Sequence, residues 1–185
     1  RKYKTSVPLD KFEDQDTVFH NPGAHSPADQ PLPVDQSDIV VLGTVTGARA
    51  FVSNDKTALY SEFQVTVNKI FKNSSGLGVN PGSSIVAERE GGKVRFSSGR
   101  VQQRGEWGRE LPQRDRQYIL FLKWDELGRD FVIKTGFEVN GETVQPLDGL
   151  AADFTHPFSN YGRYKNADLK KFISELETAI SQRPQ

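Results

Sequence analysis

A chain of 185 residues has room for one domain with a tail and is too short for two ordinary domains with separate cores. Its 24 basic and 24 acidic side chains balance, which argues against a globally basic nucleic-acid binder and against a polyacidic tail protein. The chain contains no Cys, and this excludes thiol catalysis, thiolate metal sites and disulfide bonds.

Composition also indicates where the protein acts. The chain contains no Met and begins with Arg1, as expected of a chain from which a leader has been removed or whose start has been trimmed. The absence of Cys fits a bacterial exported protein. No apolar run approaches the roughly 18 to 20 residues that a membrane-spanning helix needs. We therefore expect a secreted, periplasmic or cell-surface protein without a membrane span.

Residues 1–36 are predicted to form an extended arm outside the folded domain. They carry five prolines, which lack a backbone donor and do not join central strands: Pro8, Pro22, Pro27, Pro31 and Pro33. Between residues 9 and 38 a single base, Lys11, stands against seven acids: Asp10, Glu13, Asp14, Asp16, Asp29, Asp35 and Asp38. Two interpretations stay open. The arm is solvated or loosely docked, or it binds a neighbouring molecule by adding to a sheet edge or lying in a groove.

Two strands are predicted directly after the arm. Residues 39–46 are rich in β-branched side chains, and Gly43 among them indicates a bend or a close backbone approach. In residues 62–67 apolar and polar side chains alternate, which places one face inward and one in water. The alternation breaks at Lys69, which indicates either a bulge or the end of the strand.

Further strands are predicted in the middle of the chain. Residues 84–90 and 93–97 flank Gly91-Gly92, a dipeptide suited to a tight hairpin turn. Residues 116–124 are apolar on both faces and are therefore predicted to form a central strand. This strand is expected to pair with residues 129–135 across a short turn.

One helix is predicted near the C-terminal end, over about residues 166–181. Its apolar side chains fall at helical spacing on one face: Leu169, Phe172, Ile173, Leu176 and Ile180. Asn166 or Asp168 is placed to cap its first turn. Together these elements predict a mainly β fold. We expect a small closed antiparallel OB-like barrel over residues 37–185 that ends in an α-helix and follows the extended arm.

Four segments carry a resemblance to a known family: residues 38–45, 60–71, 81–83 and 117–122. In order and pattern they resemble Cys-free bacterial exported domains of the OB-type barrel, which are distantly similar to the netrin-like modules of metalloproteinase inhibitors. The resemblance covers about residues 38–144 and implies a barrel of this type. Those inhibitors place an N-terminal Cys on the protease metal. Since this chain has no Cys, the resemblance does not imply inhibition by that mechanism.

No metal site or serine nucleophile is predicted. His20, His25 and Asp29 lie within ten residues, but their spacing matches no zinc motif, so we expect solvated histidines and no cofactor. The chain has no Gly-x-Ser-x-Gly elbow for a serine nucleophile. His156 lies in an aromatic stretch that is expected to pack on the barrel.

Glu88 and Glu90 share one face of a predicted strand, because strand side chains alternate with a period of two. Two such carboxylates could line a cleft as a glycosidase pair does, which would make the protein a hydrolase. Their position near a turn, on either side of Arg89, favours a solvated hairpin end instead. No catalytic residue is therefore predicted.

The Arg-rich loop, residues 95–116, carries most of the predicted binding residues. These are Arg95, Arg100, Arg104, Trp107, Arg109 and Arg114, to which the aromatic stretch 154–164 adds Phe158, Tyr161 and Tyr164. Cations beside an exposed aromatic are typical of single-strand nucleic-acid binders, but the interleaved acids argue against nucleic acid. The acidic arm is complementary in charge to the loop. The aromatic stretch either stacks on sugar rings or caps one barrel end, and the cap is favoured.

We therefore expect a non-catalytic interaction module outside the cytoplasm, not an enzyme. The arm and the Arg-rich loop are its expected contact surfaces, for a protein partner or for self-association, and a glycan ligand stays open. Two alternatives remain. One is an OB-type barrel that binds an oligonucleotide or a glycan, with nucleic-acid affinity falling steeply as salt rises. The other is a hydrolase that uses Glu88 and Glu90.

Overall fold

The computed structural model describes residues 18–20, 31–53, 58–96, 99, 101–106, 108–149 and 160–182, with the backbone alone for 18–20 and 106. In these ranges the chain forms strands, a short 3-10 helix over Gly162–Tyr164 and one α-helix. In chain order they are β1 (Val18–His20), β2 (Ile39–Val52), β3 (Leu59–Asn73), β4 (Ser84–Glu90), β5 (Gly92–Arg95), β6 (Val101–Glu106), β7 (Gln117–Asp125), β8 (Asp130–Asn140), β9 (Thr143–Pro146), β10 (Ala167–Asp168) and α1 (Leu169–Ser181).

Five of these strands close into a ring. β2 pairs with β3 and β7, β3 pairs with β4, and β7 pairs with β8, all antiparallel. β8 also pairs with β4 in parallel, Ala87 with Phe131 and Glu88 with Val132, and this closes the ring. The predicted mainly β, barrel-like domain with a C-terminal helix is confirmed. One pair departs from the predicted antiparallel direction, because an odd number of strands in a closed ring cannot alternate at every pair.

The inside of the ring forms the first of two cores. Alternate positions of the barrel strands contribute apolar side chains that are almost completely buried. They are Ile39, Val41, Val45, Phe63, Val65, Val67, Ile85, Ala87, Tyr118, Leu120, Leu122, Phe131 and Ile133. This is the burial that a period of two predicts for strands whose one face lines a barrel.

The second core lies between the outer wall of the barrel and α1. Ile119 and Phe121 of β7 alternate with the inward-facing residues and form one cluster with Phe172 and Leu176 of the helix. β7 is therefore buried on both faces, which confirms the central strand that its sequence predicted. The helix lies along the barrel wall, and its salt bridge from Glu177 to β3 is consistent with this position.

α1 begins at Leu169, later than the predicted start at about residue 166. Of the two residues that the sequence offered as a cap, Asp168 fills the role, because its Oδ1 accepts a hydrogen bond of 2.9 Å from the Lys171 amide. Asn166 has a φ of 57°, a left-handed conformation that Asn tolerates better than most residues. Asn166 therefore belongs to the turn that leads into the helix.

The predicted hairpin at Gly91-Gly92 is wrong. β5 pairs with β6 and not with β4, and it belongs to a separate sheet in the order β1-β6-β5. A Cβ at Gly92 would lie 2.8 Å from Ser61 Oγ and 3.0 Å from Ala50 Cβ. The glycine thus lets the chain pass close to β2 and β3 as it leaves the barrel, with a φ of 153° that other residues rarely adopt.

The β2–β3 pair is irregular where its sequence predicted it to be. The register shifts twice on the N-terminal side of Gly43, so β3 continues through Lys69 with bulges instead of ending there. A Cβ at Gly43 would lie 2.5 Å from Val65 Cγ1 and 3.1 Å from the Thr66 carbonyl oxygen. The predicted close approach at Gly43 is confirmed.

Replacing Gly43 with alanine should lower the free energy of unfolding by about 1 to 3 kcal/mol, because the added methyl overlaps β3 and forces the pair apart. Urea titration followed by circular dichroism measures this change. Gly78→Ala is the matched control, since a Cβ there meets nothing within 4 Å. Its free energy of unfolding should change by no more than about 0.5 kcal/mol. Equal losses in the two variants would contradict the close approach.

The segment that leads into β2 is packed on the barrel. Val34 is 3 % exposed and belongs to the outer core, and Lys72 Nζ donates to its carbonyl at 2.9 Å. The Asp38 carboxylate accepts hydrogen bonds of 2.9 Å from Lys123 Nζ and from the Trp124 amide. Burial acts to raise the pKa of Asp38, but these bonds and the nearby lysines outweigh it and hold that pKa below its usual value. The folded part of the chain therefore begins before residue 37.

Candidate functional site: the arm strand and the Arg-rich loop

The arm and the Arg-rich loop, which the sequence singled out separately, meet in the small sheet. β6 of the loop pairs antiparallel with β5 and in parallel with β1 of the arm. The parallel register runs from Val18 beside Arg104 to His20 beside Glu106. β6 is thus the middle strand, and the arm supplies the backbone groups along one of its edges.

β6 has a buried and an exposed side. Gln102 is 3 % exposed, whereas Val101 beside it is 37 % exposed. The amide nitrogen and oxygen of Gln102 make no hydrogen bond to any residue that the structure describes. Since the β6 side chains are mostly polar, a strand that binds its edge is held chiefly by main-chain hydrogen bonds.

The predicted binding arginines occupy several environments. Arg95 and Arg109 are exposed, and Arg104 is half-buried. Arg114 lies 3.6 Å from the Asp115 carboxylate, and both side chains are largely exposed. The predicted residues Arg100 and Trp107 lie outside the described residues. The structure therefore places Arg104 at the paired edge itself, as the register partner of Val18.

Two other arginines, Arg89 and Arg116, bind carboxylates of the barrel domain instead. The Arg89 and Asp148 side chains are each 4 % exposed, and Arg89 Nη2 donates to Asp148 Oδ1. Thr135 Oγ1 donates to the other oxygen of Asp148 at 2.6 Å. Arg116 donates to both oxygens of Glu138 at 2.8 and 3.0 Å. Sequence alone did not separate these structural cations from those of the loop surface.

The two described tyrosines of the aromatic stretch are buried. Tyr161 is 8 % exposed and Tyr164 is 2 % exposed, and both pack on Phe137 in the outer core. Burial raises the pKa of Tyr164, whose hydroxyl donates to Glu175 at 3.0 Å, although the hydrogen bond from Arg163 opposes this shift. The structure places these tyrosines in the packing role that the sequence favoured. Phe158 and His156 lie outside the described residues.

The structure separates Glu88 from Glu90 and gives Glu88 other neighbours. Glu90 is exposed, but Glu88 is only 3 % exposed, so the expectation of a solvated hairpin end is wrong for Glu88. Carboxylate oxygens of Glu88, Asp125 and Asp130 lie within 4.8 Å of one another. The parallel closure of β4 against β8 brings them together, and no local pattern in the sequence could have revealed it.

These three carboxylates, close to the pairing of β4 with β8, have the composition of a metal-binding group. In the part of the chain that the structure describes, they are the only group of three His, Asp or Glu side chains close enough to share a metal ion. Oxygen donors of this kind suit hard cations such as Ca²⁺ and Mg²⁺. Of the histidine cluster considered from sequence, His20 lies in β1, and His25 and Asp29 lie outside the described residues.

A polar groove of about 300 Å³ lies on the outer face of β2, β3 and β4. Its lining residues are Thr46, Gly47, Ala48, Arg49, Glu62, Gln64 and Val86. Sequence reasoning did not select any of them. The only available signal was the polar half of the alternating pattern in β3, which indicates a solvent-facing side without indicating a cavity.

Comparison of the chain with protein-family models and with curated proteins finds no match. Within the described ranges, no helix has both the length and the apolar character needed to cross a membrane.

Proposed function

We propose that this protein is a non-catalytic interaction module that binds extended protein segments by strand addition at the β6 edge. The observation that supports it is the parallel pairing of β1 with β6, between a short piece of the acidic arm and a strand of the Arg-rich loop. In strand addition, main-chain hydrogen bonds supply affinity and side-chain contacts supply selectivity. The opposite charges of arm and loop speed their encounter and favour acidic segments.

Two further properties belong to the same proposal. The order of the five ring strands, β4-β3-β2-β7-β8, supports an OB-type barrel like that of the Cys-free exported domains, because such barrels are built from five strands. The Cys-free composition supports a place outside the cytoplasm, in the periplasm, at a cell surface or secreted.

The geometry of the carboxylates favours binding over hydrolysis. A glycosidase needs two carboxyl groups that flank a bound sugar, and both must reach it. Glu88 is buried and Glu90 is exposed, which argues against this pair as acid and nucleophile. Glu88→Gln is the corresponding check. If the parent chain hydrolyses a glycoside and the Glu88→Gln variant does not, the hydrolase replaces the binding proposal.

A labelled peptide of residues 9–30 should bind saturably to a chain that lacks residues 1–30, as measured by fluorescence anisotropy. The cut is placed at residue 30 because Val34 is part of the outer core. A peptide with both Val18→Pro and Phe19→Pro should bind at least about tenfold more weakly. Neighbouring strand residues direct their amides to opposite sides, so one of these prolines removes a donor aimed at β6.

Charge and backbone contributions can be separated with the same assay. A peptide with its residues in scrambled order keeps the net charge and should also bind weakly. Equal binding of the native, proline and scrambled peptides would contradict strand addition. A labelled single-stranded oligonucleotide that binds the full chain, with affinity falling steeply as salt rises, would favour the oligonucleotide-binding barrel instead.

A further inference from the structure

We propose that β1 is a displaceable cover of the β6 edge, and that an extended acidic segment of a partner protein binds by taking its place. This inference rests on the proposed function, because it names the regulation of the same edge. β1 and an added strand need the same backbone groups of β6, so only one of them pairs with those groups at a time. The pairing of β1 with β6 of its own chain is therefore the covered state of the site.

β1 covers only part of this edge. Its three residues, Val18–His20, pair with the last three residues of β6, which begin at Arg104. β6 starts three residues earlier, and no described strand pairs with residues 101–103 on the β1 side. Parallel pairs are also slightly less stable per residue than antiparallel pairs. A partner segment that pairs antiparallel with all six residues of β6 would therefore make more main-chain hydrogen bonds than β1 makes.

The uncovered stretch contains a buried amide that β1 does not satisfy. The Gln102 side chain is 3 % exposed, and neither its nitrogen nor its oxygen makes a hydrogen bond to any described residue. Such an amide is destabilising, because it has lost its hydrogen bonds to water without replacing them. Residues opposite each other in paired strands project to the same face, so a residue added opposite Gln102 can reach this amide. A partner segment with a polar side chain at that position supplies the missing bond.

The charge beside the edge also favours a partner over β1. Lys93 and Arg95 of β5 are exposed, and Arg104 of β6 is half-buried. The three residues of β1 include no acid, so β1 itself does not neutralise these cations. A partner segment that carries Asp or Glu along the paired stretch is complementary to them, which favours its encounter with this edge.

The cover weakens binding of a partner without preventing it. Because β1 belongs to the same chain as β6, dilution of the protein does not lower its local concentration at the edge. A partner binds only to molecules whose edge is open, so its apparent Kd rises as the open fraction falls. If about nine molecules in ten are covered, the apparent Kd is about tenfold higher than for the open edge.

A disulfide that fixes β1 on β6 tests this inference, and no natural Cys interferes with it. Phe19 and Gly105 are register partners, and a Cβ at Gly105 meets nothing within 4 Å. Neighbouring strands lie about 4.8 Å apart, within the range of Cα separations that a disulfide spans. The full-length double variant Phe19→Cys, Gly105→Cys should therefore form an internal disulfide, identified by intact mass spectrometry as an oxidised monomer.

The probe is the labelled peptide of residues 9–30, and its binding is measured by fluorescence anisotropy. The reduced double variant should bind the peptide saturably. Oxidation should raise the apparent Kd by at least about tenfold, because the cover can no longer leave the edge. Gly105→Cys alone, purified as a monomer, is the matched control. Its affinity for the peptide should be the same before and after the same oxidation.

Equal binding of the peptide by the oxidised and reduced double variants would overturn the inference, because β1 would then not cover the binding site. Binding to the chain that lacks residues 1–30 but not to the reduced double variant would also overturn it, since β1 would then not be displaced. Strand addition is judged separately, by the native and proline peptides on the truncated chain, so it can stand when the cover is refuted. If no internal disulfide forms, β1 does not occupy the β6 edge, and both proposals fall.

Discussion

Replacing Asp148 with asparagine should lower the free energy of unfolding by about 3 to 5 kcal/mol. Asp148 and Arg89 form an ion pair in which each side chain is 4 % exposed, and Arg89 also donates to the Glu110 carbonyl at 2.9 Å. The substitution preserves the shape of the side chain but leaves a guanidinium charge buried without its counter-charge. Urea titration of the variant and the parent chain measures the loss.

An exposed ion pair provides the matched control for this experiment. Lys69 and Glu177 lie 3.3 Å apart with side chains 52 % and 56 % exposed, so Glu177→Gln should change the free energy of unfolding by at most about 1 kcal/mol. The double variant Arg89→Met, Asp148→Leu should recover much of the loss, because it removes both buried charges together. A loss below about 1 kcal/mol in Asp148→Asn would show that the charge is not buried in the folded barrel.

Replacing Leu176 with alanine should lower the free energy of unfolding by about 2 to 5 kcal/mol. Leu176 is fully buried between α1 and the outer wall of the barrel, in the cluster that includes Phe121, Phe137 and Phe172. Truncation removes apolar contacts and leaves a cavity, because the rings around it cannot fully close the space. The change is measured by urea titration with a helix signal and a tryptophan signal recorded together.

Leu127 provides the same substitution without burial. It is 88 % exposed in the turn between β7 and β8, so Leu127→Ala should change the free energy of unfolding by no more than about 0.5 kcal/mol. If the two leucine variants lose equal stability, α1 does not pack on the barrel as described. If the helix signal of Leu176→Ala is lost before the tryptophan signal, the helix and the barrel unfold as separate units.

The two predictions test two different buried parts of the domain. Arg89 of β4 is buried with Asp148, which follows β9, whereas Leu176 is buried under the helix, outside the ring of strands. The outer core, which contains Leu176, also contains Val34. Val34 anchors the segment that leads from the arm into β2. Loosening α1 should therefore release that anchor as well, which connects the stability of the helix to the position of the arm.

Local patterns in the sequence predicted the elements well, since short-range chemistry decides them. Alternation identified β3, the doubly apolar run identified β7 as a central strand, and helical spacing identified α1. Gly43 was recognised as a close approach because only glycine leaves room for a backbone at that distance. Asp168 was one of two candidate caps, because a cap bonds to an amide only three residues along the chain.

Long-range pairing was beyond these patterns. Gly91-Gly92 has the composition of a hairpin turn, but close contact with Ser61 and the pairing of β5 with β6 direct the chain out of the barrel. The sequence predicted a solvated Glu88, but the parallel closure of β4 against β8 buries this residue beside Asp125 and Asp130. Strand partners are selected by packing over the whole domain, and that information is not contained in any short window.

The sequence by itself determined the mainly β character, the C-terminal helix and the absence of thiol chemistry, because composition and periodicity act locally. Only the tertiary structure decided which charges serve the fold and which lie at a surface. Arg89 and Arg104 look alike in the sequence, but one is buried with Asp148 and the other lies where β1 meets β6. Burial and pairing depend on which distant strands become neighbours, and the closure of the barrel determines this.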